Sequence, residues 1–168
     1  MWKLLTGNFV GGYRGCVPSG TPLEFQNQLP NQLKIGFTPV AVIPGSDAAE
    51  FSDDFMRSWV PNLHARLVAH RDRVRKNEHS NEYEGPSIVA FTGKRQFMMM
   101  YPTKKEEPRS LPFGRVPAEL LPSTWPLDKQ KCQVWVLPSS SGRAAMTHEQ
   151  RAGPYRALAE EYHRCNLV

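Results

Sequence analysis

Apolar residues in this chain fall into short runs punctuated by glycine and proline. Met1–Leu5 (Met-Trp-Lys-Leu-Leu) reads as a short amphipathic helix. Gly11, Gly12, Gly15 and Gly20, with Pro18, Pro22 and Pro30, then mark a long loop region. Leu33–Ile43 is rich in strand-forming residues, but Gly36 and Pro39 interrupt it. Proline donates nothing to a ladder, so this run predicts an edge or broken strand. Ser52 is a good N-cap, and Asp53 and Asp54 favour the first turn of a helix. Phe55, Trp59, Leu63, Leu67 and Val74 recur near helical spacing and predict one buried face, with Pro61 kinking or splitting the helix. Ser87–Phe91 is a continuous apolar run that predicts a strand buried on both faces. A helix over Lys94–Tyr101 follows, with Met98, Met99 and Met100 filling core gaps. The proline-rich stretch Pro102–Lys131 reads as irregular. Lys131–Leu137 is the clearest strand, and Pro154–Arg164 predicts a last helix starting at its proline.

Helices and strands therefore alternate. The expected fold class is α/β, a parallel sheet covered on both faces, in one domain over residues 1–168. Function in such folds sits beyond the carboxyl ends of strands. Two loops qualify: Thr92-Gly93-Lys94 and Pro138–Arg143.

Composition narrows the classes. Hydrophobic residues make up 40% and charged residues 22%, an ordinary globular balance. No apolar run reaches the ~18 residues of a membrane span. Cys16, Cys132 and Cys165 lie in no C-x-x-C pair, so reduced thiols fit better than a disulfide framework or zinc ribbon. A net charge of +5 favours an acidic partner such as DNA or RNA. Arg66, Arg71, Arg73, Arg75 and Lys76 load one helix with cations. They serve either as a solvated face or as phosphate contacts. The first residues are too short a run for a secretory signal. No acid precedes Glu24, which would suit an organellar leader, but only Lys3 and Arg14 are basic there, and a short helix packed on the domain is the better reading. The expected location is intracellular, nucleus or mitochondrion.

Four segments occur in the order of a known family: Ile35-Gly-Phe-Thr38, Pro44-Gly-Ser46, Ile88-Val-Ala-Phe-Thr-Gly-Lys94 and Val136-Leu-Pro-Ser-Ser-Ser-Gly-Arg143. Together with Met1–Leu5, they make the chain resemble the mismatch-specific thymine/uracil-DNA glycosylases over nearly its whole length. The resemblance implies a three-layer α/β/α fold with a short parallel sheet, and excision of a base from G·T or G·U mispairs. A glycosidic bond inside a stacked duplex is out of reach, so such enzymes extrude the nucleotide. The resemblance places Ser139, Ser140 and Ser141 on backbone phosphate and Arg143 in the vacated position. Gly142, Ala144 and Ala145 allow close backbone approach. Without the resemblance, the serines read better as helix caps. Lys94, with Gly93, is implied at the DNA-facing edge, where a plain turn with an exposed lysine is the other reading. Thr38 matches a pocket-side threonine, but Pro39 stands where the family has asparagine.

The family's catalytic segment, a central strand ending in Gly-Ile-Asn-Pro-Gly, has no counterpart before Met1-Trp-Lys-Leu-Leu5. Its asparagine positions the attacking water. Val42–Gly45 echoes it weakly, with Asp47 as a remote substitute. Loss of a central strand leaves unpaired backbone at a sheet edge, which another protein chain could cover. Two expectations follow. One is a nucleic-acid-binding member of the glycosylase family, impaired as an N-glycosylase. The other is a non-catalytic subunit of an RNA–protein assembly such as an organellar (mitochondrial) ribosome. No cofactor is expected. The histidines show no metal-ligand spacing, and Ser139–Ser141 lacks the Gly-x-Ser-x-Gly elbow of hydrolases.

Overall fold

The structure is a computed structural model that describes residues 1–8, 12–43, 50–78, 83, 85–139 and 145–165. Its helices are α1 (Trp2–Leu5), α2 (Leu29–Gln32), α3 (Asp53–Ser58), α4 (Val60–Glu78), α5 (Lys94–Met98) and α6 (His148–Cys165). Its strands are β1 (Ile88–Thr92), β2 (Gly114–Val116) and β3 (Gln133–Leu137). They form one sheet in the order β1-β3-β2. β1 runs parallel to β3, with Ile88 opposite Gln133 and Thr92 opposite Leu137. β2 runs antiparallel to β3, with Gly114 opposite Val136. The sheet is thus mixed rather than wholly parallel. The strand that makes it so spans three residues inside the proline-rich stretch, too short to show a period of two.

Alternation along the strands feeds two cores. Val89, Phe91, Val116, Val134 and Val136 join Met56, Leu63, Leu67 and Phe97 from α3, α4 and α5. Ile88, Trp135 and Leu137 join Leu4, Leu5, Leu29, Tyr155, Leu158 and Ala159 from α1, α2 and α6. Helices therefore pack on both faces. β3 is buried from Val134 to Leu137, whereas β1 buries only Phe91 fully and exposes Ala90. The expected two-faced burial of β1 fails because it is an edge.

The expected strand over Leu33–Ile43 is absent. Lys34 sits at a left-handed φ of 55°, and Pro39 has no N–H to give. The Arg66 guanidinium takes this segment instead. It donates to the Pro39 and Val40 carbonyls at 2.7 and 3.0 Å and to the Thr38 hydroxyl. The helical stretch after Ser52 splits at Trp59, and Pro61 lies in the first turn of α4, where its missing donor costs nothing. Phe55, expected on the buried face, is exposed and stacks on Phe51 at 5.0 Å. α6 starts six residues before Pro154, at His148. A reciprocal cap sets that start: the Gln150 N–H donates to the Thr147 hydroxyl at 3.2 Å and the Thr147 N–H to the Gln150 side chain at 2.9 Å.

The N-terminal loop closes by backbone contact. A Cβ on Gly15 would stand 2.1 Å from the Leu5 carbonyl oxygen, while one on Gly36 would meet nothing. Gly15→Ala is therefore expected to lower unfolding free energy by about 1–3 kcal/mol in urea, with Gly36→Ala unchanged. His64 on α4 packs edge-on to Trp125 at 6.1 Å, and burial holds its imidazole below the ordinary 6.5. The folded chain keeps that ring neutral where the unfolded chain protonates it. Stability should therefore fall as pH drops below about 6.5, with a shallower fall in His64→Leu, read from urea midpoints across pH.

Candidate nucleic-acid interface

The parallel pairing of β1 and β3 sets their carboxyl ends side by side, because Thr92 faces Leu137. Each strand runs straight into one of the two loops singled out from the sequence. Past β1, Gly93 takes φ 142°, and a Cβ there would stand 2.1 Å from the Gln96 side-chain oxygen. Glycine lets the chain turn sharply into α5 while Gln96 folds back over it. Lys94 then opens α5 as an exposed residue.

Past β3, Pro138 is fully buried, and its carbonyl accepts from the Tyr155 hydroxyl of α6 at 3.0 Å. Tyr155 is only 1% exposed, and burial pushes its phenol up to about 12, so the hydroxyl stays a donor at any ordinary pH. This bond fixes the point from which the serine loop leaves the sheet. Ser139 is half-buried at that exit. Ser140, Ser141, Gly142 and Arg143 lie outside the described residues, as do Pro44–Ser46 and Asp47.

The Lys94 ammonium stands 4.5 Å from the centroid of the Phe113 ring. Phe113 immediately precedes β2, on the far side of β3 from β1. The pair therefore joins the two outer strands across the end of β3. Phe113 sits in a proline-rich stretch that gave no sign of a strand, so its role was not legible in the sequence. Lys94 makes no ion pair among the described residues. Its neighbour Arg95 is tied to Asp53 at 3.0 Å and to the Phe51 carbonyl at 2.5 Å.

Thr38 is exposed and lies on the wall of a groove of about 350 Å³ along the outer side of β1. Val89, Phe91, Leu63 and Leu67 make the groove apolar, and Thr92 and Gln96 add polar groups near its end. The Thr38 hydroxyl accepts from Arg66, which leaves its own hydrogen to offer a ligand. Thr38 thus shares a groove with β1 that Lys94 does not line.

No family model matches the chain, and no curated protein matches it. The arrangement must be judged on its chemistry. The arginine row of α4 is largely engaged locally. Besides Arg66, Arg71 pairs with Asp72 at 2.8 Å and Arg75 donates to the Tyr83 carbonyl at 2.5 Å. Burial pushes the Cys16 and Cys132 thiols up to about 11 and 12, so neither is a thiolate nucleophile near neutral pH. Among the described residues no cluster of His, Cys, Asp and Glu could hold a metal, and no helix is long and apolar enough to cross a membrane. Among the described residues, the carboxyl edge of the sheet carries the Lys94 ammonium and the Thr92 and Ser139 hydroxyls. Tyr155→Phe removes a buried donor from the Pro138 carbonyl and should cost about 1–3 kcal/mol of stability, read from urea unfolding.

Proposed function

We propose that this chain is a nucleic-acid-binding protein on the scaffold of the mismatch-specific thymine/uracil-DNA glycosylases, a three-layer α/β/α sandwich. In this reading the 168 residues supply the edge that grips and probes a duplex, and hydrolysis needs the water-positioning asparagine segment that they do not contain. The observation that carries the reading is the side-by-side exit of two loops at one sheet edge, Gly93-Lys94 from β1 and Pro138-Ser139 from β3.

The roles follow from the chemistry of base extrusion. Flipping a nucleotide costs a few kcal/mol and leaves a hole in the stack. Ser139, Ser140 and Ser141 would hold the phosphate backbone through hydroxyl and amide donors, and Lys94 would neutralise a neighbouring phosphate. Arg143 would occupy the hole and meet the orphaned base. Thr38 would stand at the pocket wall. Such a protein would work where DNA is repaired, in nucleus or mitochondrion.

A second reading is favoured by one observation. The Gln133 N–H donates to the Ser87 carbonyl at 2.8 Å, so Ser87, Val89 and Phe91 turn their backbone toward β3. Ile88, Ala90 and Thr92 then turn theirs outward, where no strand pairs with them among the described residues. Phe37 and Val42, 52% and 54% exposed, add apolar surface from the segment that walls the groove. A non-catalytic subunit of an RNA–protein assembly such as an organellar ribosome would cover this edge with another protein chain.

Fluorescence anisotropy with an intact G·U duplex and an abasic duplex separates the readings. The first expects Arg143→Ala to weaken binding to the abasic duplex at least several-fold more than to intact duplex, in line with ~1–3 kcal/mol for a lost base-level contact. Equal losses on both would remove the plug role. Release of uracil by the 168 residues alone would show that the asparagine segment is dispensable.

A further inference from the structure

The nucleic-acid reading leaves the ring beneath Lys94 unexplained. Building on that reading, we infer that Phe113 is a positioning residue for a phosphate-binding Lys94. Its ring fixes the ammonium at the end of β3, where a phosphodiester of a bound DNA or RNA strand meets it.

Three observations carry this. The ammonium lies 4.5 Å from the ring centroid, inside the range at which the ring quadrupole attracts a cation. Phe113 is half-buried against the core that includes Phe97 and Val136, so the ring is a fixed platform and not a second mobile side chain. Lys94 is exposed and pairs with no carboxylate among the described residues, so its charge is left for an outside anion. A lysine on a flexible four-carbon stem loses much rotamer freedom when it grips a phosphate. Holding it in place beforehand removes part of that cost. The ring occupies one side of the ammonium only, and its three N–H donors leave room for a phosphate oxygen. The contact also crosses β3, from the residue after Gly93 to the residue before β2. The charge is therefore held at the end of the sheet where the chain leaves β3 through Pro138 and Ser139.

The test combines a ligand-free measurement with binding. In the NMR spectrum the Lys94 ε-methylene protons should be shifted upfield by the ring. The shift should be lost in Phe113→Leu and kept in Phe113→Tyr and Phe113→Trp. Binding is then read by anisotropy against salt with duplex DNA, single-stranded DNA and RNA of one sequence. Lys94→Ala should reduce the slope of log affinity on log salt by about 0.9 on duplex or about 0.7 on a single strand. Phe113→Leu should weaken binding about three-fold, the size of one exposed cation–ring contact, and Phe113→Trp should restore it. The double variant should bind no more weakly than Lys94→Ala alone. Which polymer shows the slope change identifies the source of the phosphate. Losses that multiply in the double variant, or a Phe113→Leu protein that binds like wild type, would overturn the positioning role. If Phe113→Leu does not fold, the upfield shift in wild type and its persistence in Phe113→Tyr decide the matter. Binding with an unchanged Lys94→Ala slope would sink this inference and leave the nucleic-acid reading standing. Absence of binding to all three polymers would end both.

Discussion

Everything in this fold leans on β3. It is the central strand, and its alternate side chains form part of both cores: Val134 and Val136 on one face, Trp135 and Leu137 on the other. Each such side chain contributes about 1.5–3 kcal/mol when fully removed from water. A substitution in β3 would therefore loosen two layers of helices at once. The same strand fixes the position of the candidate site. Its parallel partner β1 ends level with it, its antiparallel partner β2 begins level with it, and its exit is held by Tyr155. Lys94, Phe113 and Ser139 are neighbours because of register, not because of any contact designed among loops.

A sheet this small leaves most backbone carbonyls without a ladder, and the chain meets that demand with side chains. The hydroxyls of Tyr13, Tyr101, Tyr155 and Tyr162 each donate to a carbonyl, those of Leu4, Leu120, Pro138 and Leu33. Trp2 does the same for Thr21, Arg66 for Pro39 and Val40, and Arg95 for Phe51. With 12 glycines and 15 prolines in the chain, such bonds replace secondary structure as the means of satisfying buried polar groups. They also change how the net charge of +5 reads. Much of the cationic inventory is structural, so a pI near 9.3 says less about an acidic partner than it suggests. Lys94 matters because it stands apart from this use.

The sequence was legible where one signal dominated. The run Gln133–Leu137 has no competitor for a strand, and the Ser52 cap with its two aspartates marks a helix start that the structure keeps, Ser52 accepting from the Phe55 N–H at 3.2 Å. It misled where a local pattern met a long-range competitor. Leu33–Ile43 has strand composition, but Arg66 takes its carbonyls, and no local pattern foretells a partner 26 to 28 residues away. Pro154 reads as a helix start by its own chemistry, yet the reciprocal Thr147–Gln150 cap starts the helix upstream of it. β2 was invisible because three residues between Pro112 and Pro117 carry no period. The two loops at the sheet edge were legible as candidates. The Phe113 platform was not, since it exists only once β2 is placed beside β3.

The groove and the free edge of β1 bear on how binding and hydrolysis could be divided. Thr38, Ala90 and Thr92 line one groove of about 350 Å³, and the backbone of Ile88, Ala90 and Thr92 turns outward along the same strand. Any strand that pairs with β1 lies directly beside that edge, at the ladder spacing of about 4.8 Å. If it runs parallel to β1, its last residues arrive beside Thr92 and the Gly93 turn, next to Lys94. Completing the sheet and completing the pocket are then one event. In the proposed glycosylase-like reading, a segment that brings an asparagine would supply the water-positioning group at that edge. A segment from another subunit would cover the same edge without one, and leave a scaffold. The two functional readings thus differ in what occupies a single edge.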